Sequence, residues 1–169
     1  ASQLQKEAKT VVYVGLGQDI IGLVAIQDVP KKKKKKAIAE LKKRGLRTVM
    51  LTGDNQNVAE AIGKEVGIDQ VIAGVLPTEK ANEIKKLQDA GRVVAFVGDG
   101  INDAPALSTA NVGIAMGSGT DIAIESGGIV LVQNDLMGVV KALEISKKTF
   151  NRIKLNLFWA LIYNTIGIP

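Results

Sequence analysis

Residues 97–107 read VGDGINDAPAL, and within them Asp99, Asn102 and Asp103 gather two carboxylates and an amide. Such oxygens are hard donors of the kind that hold Mg²⁺. Gly98 and Gly100 flank Asp99 and let the backbone come close to a ligand. One acidic residue would be enough to cap a helix; two with an asparagine exceed that need, so the run points to a metal site. A second polar group, Thr52-Gly53-Asp54, follows an apolar run that ends at Leu51. A third is Lys80, three positions after Pro77, in the expected first turn of a helix. A cation is disfavoured there by the helix dipole, so Lys80 calls for an anion. A divalent cation, an ammonium and a hydroxyl are together suited to neutralising a phosphoryl group during transfer.

These groups need a frame. Residues 93–97, Val-Val-Ala-Phe-Val, are uncharged and apolar and predict a strand buried on both faces. It breaks on Gly98-Asp99-Gly100, and a helix starts near Asn102 or Asp103. Asp99 therefore falls at the carboxyl end of a strand, the edge at which open α/β sheets bind ligands.

Earlier in the chain, residues 10–15 and 20–26 predict a hairpin turning at Gly17-Gln18-Asp19. Pro30 suits a helix first turn, and residues 31–44 follow as a helix closed by Gly45. Residues 31–36 are all lysine, a solvated helix face with no assigned role. Strands are expected at 46–51 and 70–72, and helices at 58–66 and 77–88. Beyond the acidic loop come a strand at 112–116, a turn at Gly117-Ser118-Gly119, a short helix capped by Thr120, and a strand at 129–132. Asp135 then caps a long helix running towards Arg152. Strand alternating with helix is the signature of an α/β, doubly wound parallel sheet.

The bulk composition narrows the class. A chain of 169 residues that is 46% hydrophobic and 23% charged has room for about one domain with a sizeable core. It contains no cysteine and no histidine, which excludes disulfides, thiolate metal sites and imidazole bases. The net charge of +5 is outweighed by the six lysines of residues 31–36, so the remainder is about neutral, which argues against nucleic acid as a partner. The polar residues 1–10 do not open with a signal peptide.

Residues 153–169 differ in kind. They carry one charge, Lys154, and hold the only tryptophan. A bilayer-spanning helix needs about twenty apolar residues, and this stretch reads as the start of one. Lys147, Lys148, Arg152 and Lys154 before it set its flank in the cytoplasm. A buried helix of the preceding domain is the plainer alternative.

The order and spacing of TGD, Pro77-Thr78-Glu79-Lys80 and VGDGINDAPAL resemble the phosphorylation domain of P-type ATPases, within the haloacid dehalogenase superfamily. The closing NLFWALIYN resembles the first membrane helix after that domain in heavy-metal pumps, and its Tyr163-Asn164 pair the copper branch. The resemblance implies three segments: residues 1–27 as the end of a nucleotide-binding domain and return linker, 28–150 as a phosphorylation domain lacking its first strand, and 151–169 as the start of a membrane helix. It also implies residue roles. Thr52 would bond phosphoryl oxygens, Gly53 would give backbone access and Asp54 would support the loop. Lys80 would neutralise the phosphate, Asp99 and Asp103 would hold Mg²⁺, and Asn102 would complete the phosphate contacts. Asp28 would lie near the nucleotide and Mg²⁺, and Tyr163 and Asn164 on the path of the transported metal, although a tyrosine there can also serve as an interfacial anchor.

ATP, Cu⁺, the lipid bilayer and a copper chaperone are the implied ligands and partners, in a multi-pass cell-membrane protein whose phosphorylation domain faces the cytoplasm. The Asp-Lys-Thr-Gly-Thr motif that carries the phosphorylated aspartate in that family does not occur here, so this stretch taken alone is not expected to phosphorylate itself. The resemblance thus implies part of a pump that couples ATP hydrolysis, through a phospho-aspartate, to copper export. A soluble phosphatase of the same superfamily, or a non-catalytic regulatory domain without the nucleophile, would share the three loops.

Overall fold

The computed structural model describes residues 10–16, 19–26, 32–98, 101–117 and 128–167, the first two segments as backbone alone. The hairpin forms as expected: β1 (Thr10–Leu16) pairs antiparallel with β2 (Asp19–Ile26), with a register shift between Val14 and Gly15.

The first described helix, α1 (Lys32–Lys43), buries only Ala37 and Ile38 and leaves Lys32, Lys33, Lys34, Lys35 and Lys36 exposed. It ends with Lys42 and Lys43 in the last turn, where cations suit the dipole. Gly45, at φ 79°, adopts the left-handed conformation that closes the turn. Strand β3 is only Val49–Leu51, shorter than the expected 46–51, because Thr48 is held sideways by Asp69 before the ladder begins. It pairs in parallel with β4 (Gln70–Ile72). Between them lies α2 (Gln56–Val66), capped by Asn55, whose Oδ1 accepts from the Asn57 amide at 2.9 Å. A Cβ on Gly63 would fall 2.5 Å from Val71 Cγ2, so glycine there lets α2 lie close on β4.

A short 3-10 turn, Pro77–Glu79, leads into α3 (Lys80–Asp89), anchored by the buried Ile84. Next come β5 (Ala95–Gly98), a 3-10 turn at Ile101–Asp103, α4 (Ala104–Thr109) and β6 (Val112–Met116). The order β5-β6-β7, with β7 at Ile129–Leu131, is parallel throughout. Leu107 of α4 and Ala115 of β6 form a buried cluster against which Phe96 packs. Full burial of a Leu or Phe side chain contributes about 1.5–3 kcal/mol, so α4 is fastened to β5 and β6 despite its six residues. The predicted turn at Ser118 and Gly119 and the Thr120 helix lie outside the described residues.

Strands β3 to β7 are parallel, as expected of the α/β class, and among the described residues they form two ladders, β3-β4 and β5-β6-β7. One expectation needs correction: the stretch 93–97 is not buried on both faces. Its strand starts only at Ala95, Val93 is 87% exposed and Ala95 is exposed. A cleft of about 960 Å³ separates β3 from β5, lined by Val49, Met50 and Leu51 on one side and Ala95, Phe96 and Val97 on the other. The β5 edge facing the cleft has no neighbouring strand among the described residues, so its side chains are only partly covered.

The last helix, α5 (Met137–Gly167), runs unbroken for 31 residues. Asp135 Oδ1 accepts from the Met137 amide at 2.9 Å, the capping role expected of it. Val139 and Val140 are buried near its start, where α1 packs alongside. Further on, Leu157, Phe158, Trp159, Leu161 and Tyr163 are each more than half exposed. Among the described residues no helix is long and apolar enough to cross a membrane.

Candidate active site

The site is assembled at the carboxyl edge of the strands. β3 ends at Leu51, and Thr52 follows with its amide bonded to the Ile72 carbonyl at 3.0 Å. Thr52 Oγ1 donates to Asp54 Oδ2 at 2.9 Å, and the Asp54 amide donates back to Thr52 Oγ1 at 3.2 Å. Asp54 thus holds the threonine hydroxyl. The Val75 amide donates to the Thr52 carbonyl and the Gly74 amide to that of Asp54, each at 3.0 Å. A Cβ on Gly53 would lie 3.4 Å from the Val75 carbonyl oxygen. The Thr52 loop is therefore laced to the segment that leads directly into Pro77 and Lys80.

Lys80 decides the meaning of Asp103. Its Nζ donates to Asp103 Oδ1 at 2.7 Å, with the two side chains only 18% and 11% exposed. Asp103 stands at the N-terminal boundary of α4 but makes no side-chain capping bond. It is turned away from the helix and towards the cation. Gly98 permits this: a Cβ there would fall 2.8 Å from both Cβ and Oδ2 of Asp103. Among the described residues, Asp103 receives a hydrogen bond only from Lys80, which leaves its second oxygen available to a hard cation.

The structure thus brings the predicted groups together as two pairs, Thr52 with Asp54 and Lys80 with Asp103. Asn102 is exposed in the same turn as Asp103. Asp28, Asp99 and Gly100 lie outside the described residues, as does any metal set that includes them. Among the described residues no group of three acidic side chains gathers as a metal cage. Tyr163 and Asn164 are on the exposed end of α5, remote in sequence from this edge.

A second polar knot escaped sequence reasoning. Asp69 Oδ2 accepts from both the amide and the hydroxyl of Thr48, at 2.9 Å each, and Oδ1 pairs with Lys42. The Lys42 ammonium, followed by the two Thr48 donors, holds the Asp69 carboxyl down at about 2. This knot ties the end of α1 to the starts of β3 and β4, at the edge opposite Asp103. The partners are 21 and 27 positions apart, and no local spacing signals them.

The parallel strands, the acidic turn beside β5 and its lysine partner define a haloacid dehalogenase-like hydrolase; the chain belongs to that family, whose model matches residues 1–111. More particularly, it is 55% identical over 167 residues to the probable copper-exporting P-type ATPase of Archaeoglobus fulgidus, a match covering 99% of this chain and 21% of that protein. It is 53% identical to the copper-exporting P-type ATPase of Bacillus subtilis, with the same coverage. To the probable copper-importing P-type ATPase A of Enterococcus hirae it is 51% identical, over 100% of this chain and 24% of that one. The chain therefore spans about a fifth to a quarter of these relatives. Among solved structures, a zinc-transporting PIB-type ATPase in the E2·Pi state superposes with a TM-score of 0.81 at 39% identity, over 99% of this chain and 28% of that one.

Proposed function

We propose that this chain is the C-terminal part of the catalytic unit of a copper(I)-translocating P-type ATPase, which couples ATP hydrolysis through a phospho-aspartate to copper export from the cytoplasm. The observation that carries the reading is the shielded Lys80–Asp103 pair, formed in place of a helix cap at the carboxyl edge. Asp103, with Asp99, holds Mg²⁺, which supplies positive charge at the oxygens of the transferring phosphoryl group. The one-sided bonding of Asp103 and its hard oxygens fit that ion. Lys80 neutralises the phosphoryl charge, and Thr52 donates its hydroxyl to a phosphoryl oxygen when its single proton turns away from Asp54, which otherwise accepts it. Gly53 gives backbone access, Asn102 adds a further donor, and Asp28 lies towards the nucleotide.

The cleft between β3 and β5 is suited to a parallel apolar strand that carries the acceptor aspartate, from the much larger part of the protein outside this chain. Residues 1–27 end the nucleotide-binding domain, 28–150 form the phosphorylation domain on the cytoplasmic side, and 151–169 begin a membrane helix of a multi-pass cell-membrane protein. The exposed apolar side chains of α5 support that last assignment. Tyr163 and Asn164 stand on the metal path, the bilayer surrounds the helix, and a copper chaperone delivers the ion.

Copper is preferred because relatives at 51–55% identity are named for it, whereas the zinc-transporting neighbour stands at 39%. Export is preferred because two of the three relatives are named exporters. The test is ATPase activity and phosphoenzyme formation by the complete protein, with Cu⁺, Ag⁺, Zn²⁺ and Cd²⁺ compared. Stimulation by Cu⁺ and Ag⁺ alone is expected. Stimulation by Zn²⁺ or Cd²⁺ alone overturns the copper assignment, and a metal-independent phosphatase activity overturns the pump.

A further inference from the structure

The lysine run of α1 has no part in the site described above, yet the fold carries it to the same edge. The C-terminal end of α1 is fixed at the amino edge of the strands: Lys42 donates to the Gly67 carbonyl and pairs with Asp69, immediately before β4. A helix of 12 residues is about 18 Å long, enough to return its other end to the carboxyl edge. The N-terminal end is found there, with Lys33 Nζ 3.7 Å from Asp135, four positions beyond the end of β7. Lys33 and Lys34 line the cleft that also holds Lys80, Gly98 and Asp103.

Residues 32–36 are all exposed, and among the described residues only Lys33 has an ion-pair partner. Five adjacent positive charges at a helix N-terminus repel one another and oppose the dipole. α1 has no acidic residue in its first turn to offset them. A multivalent anion at the cleft mouth would. Membrane lipid is the weaker candidate, since roughly 20 Å of helix separates the start of α5, beside Lys33, from the membrane segment proposed at 151–169.

We infer that Lys33 and Lys34, backed by the charge of Lys32, Lys35 and Lys36, form an electropositive rim that draws the triphosphate of the incoming nucleotide towards the cleft. This rests on the proposed phosphoryl transfer and adds to it a nucleotide-capturing surface distinct from the transferring groups. The rim acts at a distance, raising the local concentration of the anion and its rate of encounter. It does not touch the reacting atoms, so its effect belongs to nucleotide binding and not to the transfer step.

The experiment replaces Lys32, Lys33, Lys34, Lys35 and Lys36 together by Gln in the complete transporter, with an all-Arg version as the charge-preserving control. Binding of a non-hydrolysable Mg·ATP analogue and the dependence of phosphoenzyme formation on ATP are measured at two salt concentrations. Between about 0.01 M and about 0.15 M the screening length falls from roughly 30 Å to roughly 8 Å. At the lower salt the Gln version is expected to bind the nucleotide about tenfold more weakly, with the same maximal phosphoenzyme level. The gap narrows at the higher salt, and the Arg version behaves as the parent. Equal affinity and equal salt dependence in the Gln version overturn the rim. So does a loss of binding to anionic phospholipid vesicles, or to RNA, with nucleotide affinity intact. A parent protein that forms no phosphoenzyme from ATP refutes the underlying transfer reading instead, and is recognised before any lysine is changed.

Discussion

Two lysine–aspartate pairs sit at opposite edges of this fold, alike in composition and unlike in use. At the amino edge, Asp69 is surrounded: Thr48 gives its amide and hydroxyl, and Lys42 its ammonium. The carboxylate is saturated by protein donors and has little capacity left for anything else. At the carboxyl edge, Asp103 is the more shielded of the two, yet among the described residues it accepts only from Lys80. A shielded carboxylate with one protein donor among the described residues has acceptor capacity that a ligand can use. A saturated pair works as a fastening, and an incomplete one as a receptor.

The sharpest way to break that contrast is to remove the two carboxylate charges in the complete transporter. Asp103→Asn is expected to lower Mg²⁺-dependent phosphoenzyme formation by about 10²-fold or more; a normal level would remove Asp103 from the metal site. Lys80→Ala comes next, slowing transfer by about tenfold to 100-fold. It also leaves Asp103 without its counter-charge, at about 1–3 kcal/mol of stability. A normal single-turnover rate at saturating Mg²⁺ would show that Lys80 only holds Asp103 in place.

Gly98→Ala sharpens the comparison without touching a charge. The added methyl would meet Asp103 at 2.8 Å, so the carboxylate must shift. A loss of about tenfold in phosphoenzyme formation rate is expected from such misplacement, and an unchanged rate would mean that the position of Asp103 is not critical.

The smallest effect on catalysis is expected from Asp69→Asn, which should leave phosphoenzyme formation within about twofold of normal. Its signature is in acid. The Asp69 carboxyl is lowered from 3.8 to about 2, so the folded state favours its ionised form. The stability this contributes is complete above about pH 4 and lost as the pH falls towards about 2. Unfolding midpoints followed across that window should therefore fall less steeply in Asp69→Asn than in the parent, and identical slopes would deny the knot its role.

Much of this was legible from local pattern. The helix cap at Asp135 and the strands at Gln70–Ile72 and Val112–Met116 depend on near neighbours, and the chain states them directly. The lone cation in the first turn of α3 also announced that an anion was needed. The Thr48–Asp69 knot was silent because its members are 21 positions apart. The exposure of Val93 and Ala95 was misjudged because an apolar run states a preference for burial, whereas the neighbour that would satisfy it lies elsewhere.

By itself the sequence determined the order of elements, the parallel strands beyond the first hairpin and which polar groups are candidates for a phosphate and a metal. Only the tertiary structure decided that Asp103 faces Lys80 instead of capping α4, that β3 and β5 stand apart across a cleft, and that the lysine run shares an edge with the site. The physical reason is range. Caps, turns and periodicity are settled within a few residues, whereas pairing between charges and between strand edges depends on how distant segments are brought together.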